Sequence, residues 1–297
     1  MSRFNLYQEE FHPSPLQHTW LEFKQSHIAL MGLWCLGMFV FLMIFGPLIA
    51  PFDPLEQNLN ILLAPPAWSS TGTIEHVFGT DSLGRDILSR LIHGCQITFG
   101  ISLLLVLVAM LLGVAIGTAA GMSYGIRSSV LNHLMDSLMA IPTLLIAIII
   151  VAILGTGLVN SMWAISLALT PIFIHNTRDF VRKELQKDYV IAAQLDGASK
   201  IQIFFHSILP NMVELLVMRG TLALSTAVLD ITALGFLNLG AQAPSPELGT
   251  MLSESIEVAY MAPWTMALPG GTIFLMIMSI NLVGDGLRSA LRNRLIR

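Results

Sequence analysis

Arg219 and Asp230 stand eleven positions apart in a mainly apolar stretch, residues 212–237. Eleven helical steps of about 100° bring the second side chain to within about 20° of the first, so a helix places both on one face. Arg219 follows Pro210 by nine residues, a depth of about 13 Å at helical rise. A guanidinium and a carboxylate at such depths are costly in lipid and must face protein or water. They are therefore candidates to line a translocation path, with Asp230 drawing a cationic solute near the outer end. The competing role is that each forms a buried tie with another span or a partner subunit.

Other chemistries find little support. No GxxxxGK[ST] phosphate loop is present, so energy from ATP has to come from another chain. There is no HExxH, and the eight histidines are scattered. Cys35 and Cys95 have neither a disulfide framework nor metal-ligand spacing around them. The Gly284–Gly286 stretch, GDG, lacks the GxGD order and the second intramembrane aspartate of an intramembrane protease. The expectation is a chain with no catalytic residue and no metal site.

The elements that hold the two charges follow from composition. Of 297 residues, 54% are hydrophobic and only 11% charged, and the mean hydropathy is +0.72, which belongs to a membrane protein. A helical span needs about 20 apolar residues. Six such runs are legible, at about 28–50, 98–121, 134–155, 158–175, 212–237 and 268–287. In the second, Gly113, Gly117 and Gly121 form a small-residue ladder suited to close helix contact. Lys and Arg cluster on one side: Arg3, Lys24, Arg127, Arg178, Arg182, Lys183, Lys187, Lys200, Arg288, Arg292, Arg294 and Arg297, against Arg85 and Arg90 opposite. The positive-inside rule then puts both termini in the cytoplasm. The expected organisation is a cytoplasmic segment 1–27, a first span 28–50, a periplasmic loop 51–97, a five-helix core 98–290 with a cytoplasmic loop 176–210, and a tail 291–297.

That cytoplasmic loop contains the longest water-compatible stretch. Lys183 to Asp196 is helix-forming, Gly197 permits a turn, Ser199 can cap a second short helix, and Pro210 suits the first turn of the next span. Ala192 and Ala193 leave one face shallow enough for another protein to approach the backbone. Upstream, in HVFGTDSLGRDILSRLIHG (76–94), Asp81 or Ser82 can cap a helix. Its apolar face would be Leu83, Ile87, Leu88 and Leu91, with Arg85, Asp86 and Arg90 pointing elsewhere. Such a helix is expected to lie along the outer membrane surface with structural ion pairs.

These residues resemble a known family. Ala192-Ala193, Gly197 and Leu209-Pro210 resemble the EAA loop of ABC importer permeases, with Ile191 where the naming acid usually stands. Gly79-Thr80-Asp81 and Gly84-Arg85-Asp86 resemble the GTDxxGRD signature of the C-type permeases of dipeptide, oligopeptide and nickel uptake systems, with Gln96 in place of the Arg that usually follows Gly94-Cys95. Asp136 and Pro142, and the stretches 233–252, 262–271 and 281–291, match the same family in order. The wording of LDGAS and LGAQAPSPELG is similar to the Sap branch of peptide transporters.

The resemblance implies an all-α type I (MetI-like) permease of six spans. It implies an ATPase-coupling role for Tyr189, Ala192, Ala193, Asp196, Gly197, Ala198, Ser199, Leu209 and Pro210. The implied partners are a SapB-like second permease, SapD- and SapF-like ATPases carrying ATP and Mg, and a SapA-like periplasmic binding protein. The chain itself would bind no cofactor and contact no nucleic acid. Import of cationic antimicrobial peptides is the implied activity. Export of putrescine by the same subunits is one alternative, and an ion-coupled carrier is another.

Overall fold

A computed structural model describes residues 15–123, 133 and 135–296. Arg3, Arg127 and Arg297 of the charge count lie outside the described residues. The described chain is all-helical: α1 (Pro15–Gln25), α2 (His27–Ile49), α3 (Ile87–Gly121), α4 (Thr143–Leu154), α5 (Leu158–Glu184), α6 (Asp188–Leu195), α7 (Lys200–Ile203), a π-helical turn (Phe204–Ile208), α8 (Leu209–Phe236), α9 (Leu248–Ser255) and α10 (Trp264–Ile296).

Five of these, α2, α3, α5, the α7-to-α8 run and α10, are long and apolar enough to cross a membrane, and α4 is a shorter apolar helix. The third expected span is broken. Residues 135–139 are helical, the chain then turns, and α4 starts after Pro142. Proline cannot donate to the helix ladder and pushes the residue before it out of helical geometry. The second span begins at Ile87 rather than 98, and the fourth runs on to Glu184 rather than 175. Hydropathy locates the lipid-facing core of a helix, but polar turns held by protein contacts extend it.

The central helix is α5, with more than half of its membrane stretch buried. The glycine ladder is what lets α3 lie against it. A Cβ on Gly113 would fall 2.2 Å from Phe173 Cβ, one on Gly117 2.7 Å from Ile174 O, and one on Gly121 2.8 Å from Val181 Cβ. Close backbone approach supplies the dispersion contact that replaces hydrophobic drive in lipid. Gly113→Val is expected to lower stability by about 1–3 kcal/mol, because Phe173 opposes the new side chain with its Cβ and backbone. Thermal unfolding in mild detergent reads this as a lower midpoint. The GDG stretch has a packing role too, since a Cβ on Gly286 would meet Ala29 Cβ at 2.4 Å and one on Gly284 would meet Thr221 Oγ1 at 2.8 Å.

The core gathers Phe39, Phe99, Leu105, Ile165, Phe173, Val228, Ile231 and Met276 from α2, α3, α5, α8 and α10. Trp34, Leu48 and Ile153 stand largely exposed on the outside of the bundle, as a lipid-facing surface requires.

Candidate functional site

Among the polar groups of the described residues are a loop at one end of the bundle, a charged cluster at the other, and a buried carboxylate between them.

In the loop, α5 ends at Glu184 and a turn at 185–187 leads into α6, so the expected continuous helix from Lys183 to Asp196 is interrupted. Backbone bonds from Gln186 N to Lys183 O and from Lys187 N to Glu184 O close that turn. Gly197 follows at φ +86 with open space around it, a conformation that glycine adopts freely. Ser199 then caps α7 through a reciprocal box with Gln202. Pro210 sits in the first turn of α8, but the π-helical turn before it continues α7 directly into that helix.

Beneath the loop, Val181, Val190, Ile203 and Ile208 form a separate apolar floor. The outer face is mixed: Leu195 is 83% exposed, Ile201 70% and Phe205 57%, among exposed Gln194, Asp196, Lys200 and Gln202. Ala193, Asp196, Gly197, Gln202 and His206 border an open cavity of about 450 Å³ beside it. Tyr189 donates to Glu184, and burial together with that carboxylate pushes the Tyr189 phenol up to about 12. Ile191 is exposed at the position of the missing acid.

At the opposite end, the GTDxxGRD stretch is no amphipathic surface helix. It is a tight turn folded under the 51–78 segment and leading directly into α3. Leu63 N donates to Asp81 O, Thr80 N to Ala64 O, and Ile87 N to Gly79 O. Gly79 and Gly84 have φ of +78 and +72, and a Cβ on either would strike a carbonyl, of Ala64 or of Asn58. Thr80 Oγ1 accepts from Ala64 N at 2.8 Å and donates to Ile61 O. Asp86, rather than Asp81 or Ser82, caps α3 through Ser89 N at 2.7 Å, and its other oxygen lies 3.0 Å from His76 Nδ1.

Asp81 accepts from Arg85 Nε at 2.6 Å and Arg90 Nη1 at 2.5 Å, while Glu254 accepts from the same two guanidinium groups at 2.8 and 2.9 Å. Both arginines are 2% exposed. The two acids balance two cations, which is the condition for burying charge without a large penalty. The expectation of structural ion pairs therefore fits this geometry. The expectation of an interfacial helix with Arg85, Asp86 and Arg90 off its apolar face does not, since all three are buried in the turn and the first turn of α3.

Sequence reasoning missed Glu254, and also Glu247. The latter is fully buried, accepts from Thr98 Oγ1 at 3.0 Å and Thr250 N at 2.9 Å, and caps α9. Burial pushes its carboxyl up despite those donors. Close approach around it depends on Gly235, where a Cβ would fall 2.1 Å from Glu247 Oε2. The LGAQAPSPELG wording was the available signal, but no periodicity marks a capping acid on a short helix.

Between the two ends, Asp230 is 6% exposed and accepts from Thr143 Oγ1 at 3.0 Å, just past the break at Pro142. Arg219 is exposed and makes no hydrogen bond or ion pair among the described residues. The shared azimuth does not give a shared environment: Thr143 at the start of α4 reaches Asp230, which is buried, while Arg219 is exposed. Asp136, at the start of the broken span, lies 3.2 Å from Nδ1 of His175 on the central helix.

A bundle of helices long and apolar enough to cross a membrane, with a capped turn-and-helix loop at one end and a buried charged turn at the other, is the architecture of a multi-pass membrane protein. Residues 113–297 match the family described as binding-protein-dependent transport system inner membrane component, and residues 14–66 match the N-terminal TM domain of oligopeptide transport permease C. The chain belongs to this family of ABC transporter permeases, in its C-type dipeptide and oligopeptide branch. It is 46% identical to the peptide transport system permease protein SapC of Salmonella typhimurium, covering 97% of each chain. To the di/tripeptide transport system permease protein DppC of Pseudomonas aeruginosa it is 44% identical, covering 96% of this chain and 94% of the other. A chain of the MetNI methionine ABC transporter, in an inward-facing conformation, shares the fold at a TM-score of 0.54 and 17% identity, over 68% of this chain and 96% of that one.

Proposed function

We propose that this chain is the permease subunit through which an ATP-driven importer moves peptides, cationic ones foremost, across the bacterial inner membrane. The observation that carries the reading is the open Gly197 turn, flanked along the chain by the exposed apolar side chains Leu195, Ile201 and Phe205. It stands at the end of the bundle that carries most of the Lys and Arg, which positive-inside assigns to the cytoplasm with both termini. That is where an ATPase seats. With Ile191 in place of the acid, the seat depends on backbone shape and apolar contact.

The partners are then a second, SapB-like permease, SapD- and SapF-like ATPases that bind ATP and Mg, and a SapA-like binding protein above the 51–86 segment. Hydrolysis belongs to the ATPases and none to this chain. Recovery from mild detergent tests the assembly. Cross-linking from positions flanking Gly197 should capture an ATPase, and capture of the permease alone would contradict the proposal.

Asp230 supplies the charge test for the path. Asp230→Asn keeps a side-chain acceptor for Thr143 and removes the negative charge. For a carboxylate that draws cationic peptide, the KM for cationic peptide should rise about 5- to 10-fold, the size of one modest charge contact, with neutral peptide unaffected. Equal effects on both substrates would assign Asp230 to holding the Pro142 break. Reconstituted vesicles offered labelled cationic peptide and labelled putrescine in parallel would decide substrate and direction.

A further inference from the structure

We infer that Glu184 is a positioning residue that clamps the two ends of the 185–208 segment together, so that force on the Gly197 turn moves α5 and α8 as one body. The inference rests on the coupling role proposed above. Glu184 is the last residue of α5 and is 2% exposed. Its Oε1 accepts from Asn211 Nδ2 at 3.1 Å, from Lys187 Nζ at 3.1 Å and from the Tyr189 hydroxyl, and Oε2 lies 2.9 Å from Lys187 Nζ. Asn211 Nδ2 also reaches the Tyr189 hydroxyl and Ser207 O, each at 2.9 Å.

One carboxylate thus joins the end of α5, the start of α6 and the start of α8, and Asn211 carries the link on to Ser207 of the π-helical turn. Glu184 is where the outgoing and returning strands of the loop meet. The apolar floor of Val181, Val190, Ile203 and Ile208 holds the loop down, but dispersion contacts are non-directional and permit sliding. Charge-assisted hydrogen bonds fix register. Without them α6 is connected to α5 by the 185–187 turn and could swing on it while α5 stays still. Tyr189 and Asn211 are exposed on their outer sides, so loss of the carboxylate leaves their polar atoms to water and the fold intact.

The test compares Glu184→Leu with Glu184→Gln in the complete complex, reconstituted with its ATPases. Glu184→Leu should still co-purify with the ATPases and hydrolyse ATP, with peptide moved per ATP reduced by about tenfold. Glu184→Gln, which retains an acceptor oxygen for Tyr189 and Asn211 but loses the charge, should recover part of that loss. A role confined to stability would lower yield and leave the ratio of transport to hydrolysis unchanged, which would overturn the inference. So would a glutamine variant no better than leucine. If Glu184→Leu does not insert, the double variant Tyr189→Phe with Asn211→Leu removes two donors and keeps the acid. It should lose coupling comparably, and a wild-type ratio there would overturn the clamp. Wild-type complex that recovers no ATPase would instead overturn the transport reading, and the clamp with it.

Discussion

Gly197→Val should abolish peptide transport coupled to ATP hydrolysis while leaving membrane insertion and the helical content of the bundle unchanged. Gly197 has φ +86 and open space around it, so the substitution meets no steric neighbour and acts through the backbone. A β-branched residue in the left-handed region costs on the order of 1–3 kcal/mol. The turn relieves that strain by moving φ negative, which swings α6 relative to α7 and moves Leu195 relative to Ile201 and Phe205. Asparagine tolerates the left-handed region better than valine does, so Gly197→Asn should retain part of the coupling. The measurement is labelled-peptide uptake per ATP in vesicles. Normal coupling in the valine variant would sink the assignment of this loop to the ATPase.

The second large effect concerns the opposite end. Arg90→Met should destabilise the bundle by about 3–5 kcal/mol, the usual cost of removing one partner from a buried ion-pair network. Asp81 would retain Arg85 and backbone donors, and Glu254 would keep a single guanidinium contact at 2.8 Å. Because Glu254 lies on α9 and Arg90 on α3, the loss should first appear as detachment of the 238–263 segment. Hydrogen exchange would then rise there before it rises in α5. Glu254→Gln keeps an acceptor and should cost less. A double-mutant cycle over Arg90 and Glu254 with no coupling energy would show that the cluster contributes packing alone.

The fold was legible to different degrees in different elements. The central stretches of the spans, the Gly113-Gly117-Gly121 ladder and the Ser199 cap could all be read from local pattern. Lipid demands length and apolarity, close helix contact demands small residues at four-residue spacing, and a capping serine acts within one turn. The helix ends could not be read so well. α3 begins eleven residues before the expected span, because Asp86 caps it and the polar side chains of its first turn are held by Phe52, Asp81 and Glu254. The third span breaks at Pro142, although proline in a membrane helix does not by itself dictate a break.

Site residues divide in the same way. GTDxxGRD could be recognised as a signature, yet its placement on an amphipathic surface helix was wrong. The burial of Arg85 and Arg90 depends on Glu254, 164 positions from Arg90, and no local periodicity records a partner that remote. Glu184 was invisible for a related reason: an acid beside lysines in a water-compatible stretch reads as solvated until Tyr189 and Asn211 are seen around it. Arg219 and Asp230 share a helical azimuth, as spacing alone requires, and differ in environment because Thr143 at the start of α4 reaches only Asp230.

What the sequence by itself determined, then, is the membrane class, the stretches that cross, the family and the position of the Gly197 turn. All of these rest on composition or on residues close together in the chain, where helix period, lipid thickness and backbone freedom act directly. Tertiary structure alone decided which charges are buried together, which end of α8 is covered, and that Glu184 gathers both ends of the loop. Those outcomes depend on pairings between distant segments, and the energy of a buried charge is set by the partner that reaches it.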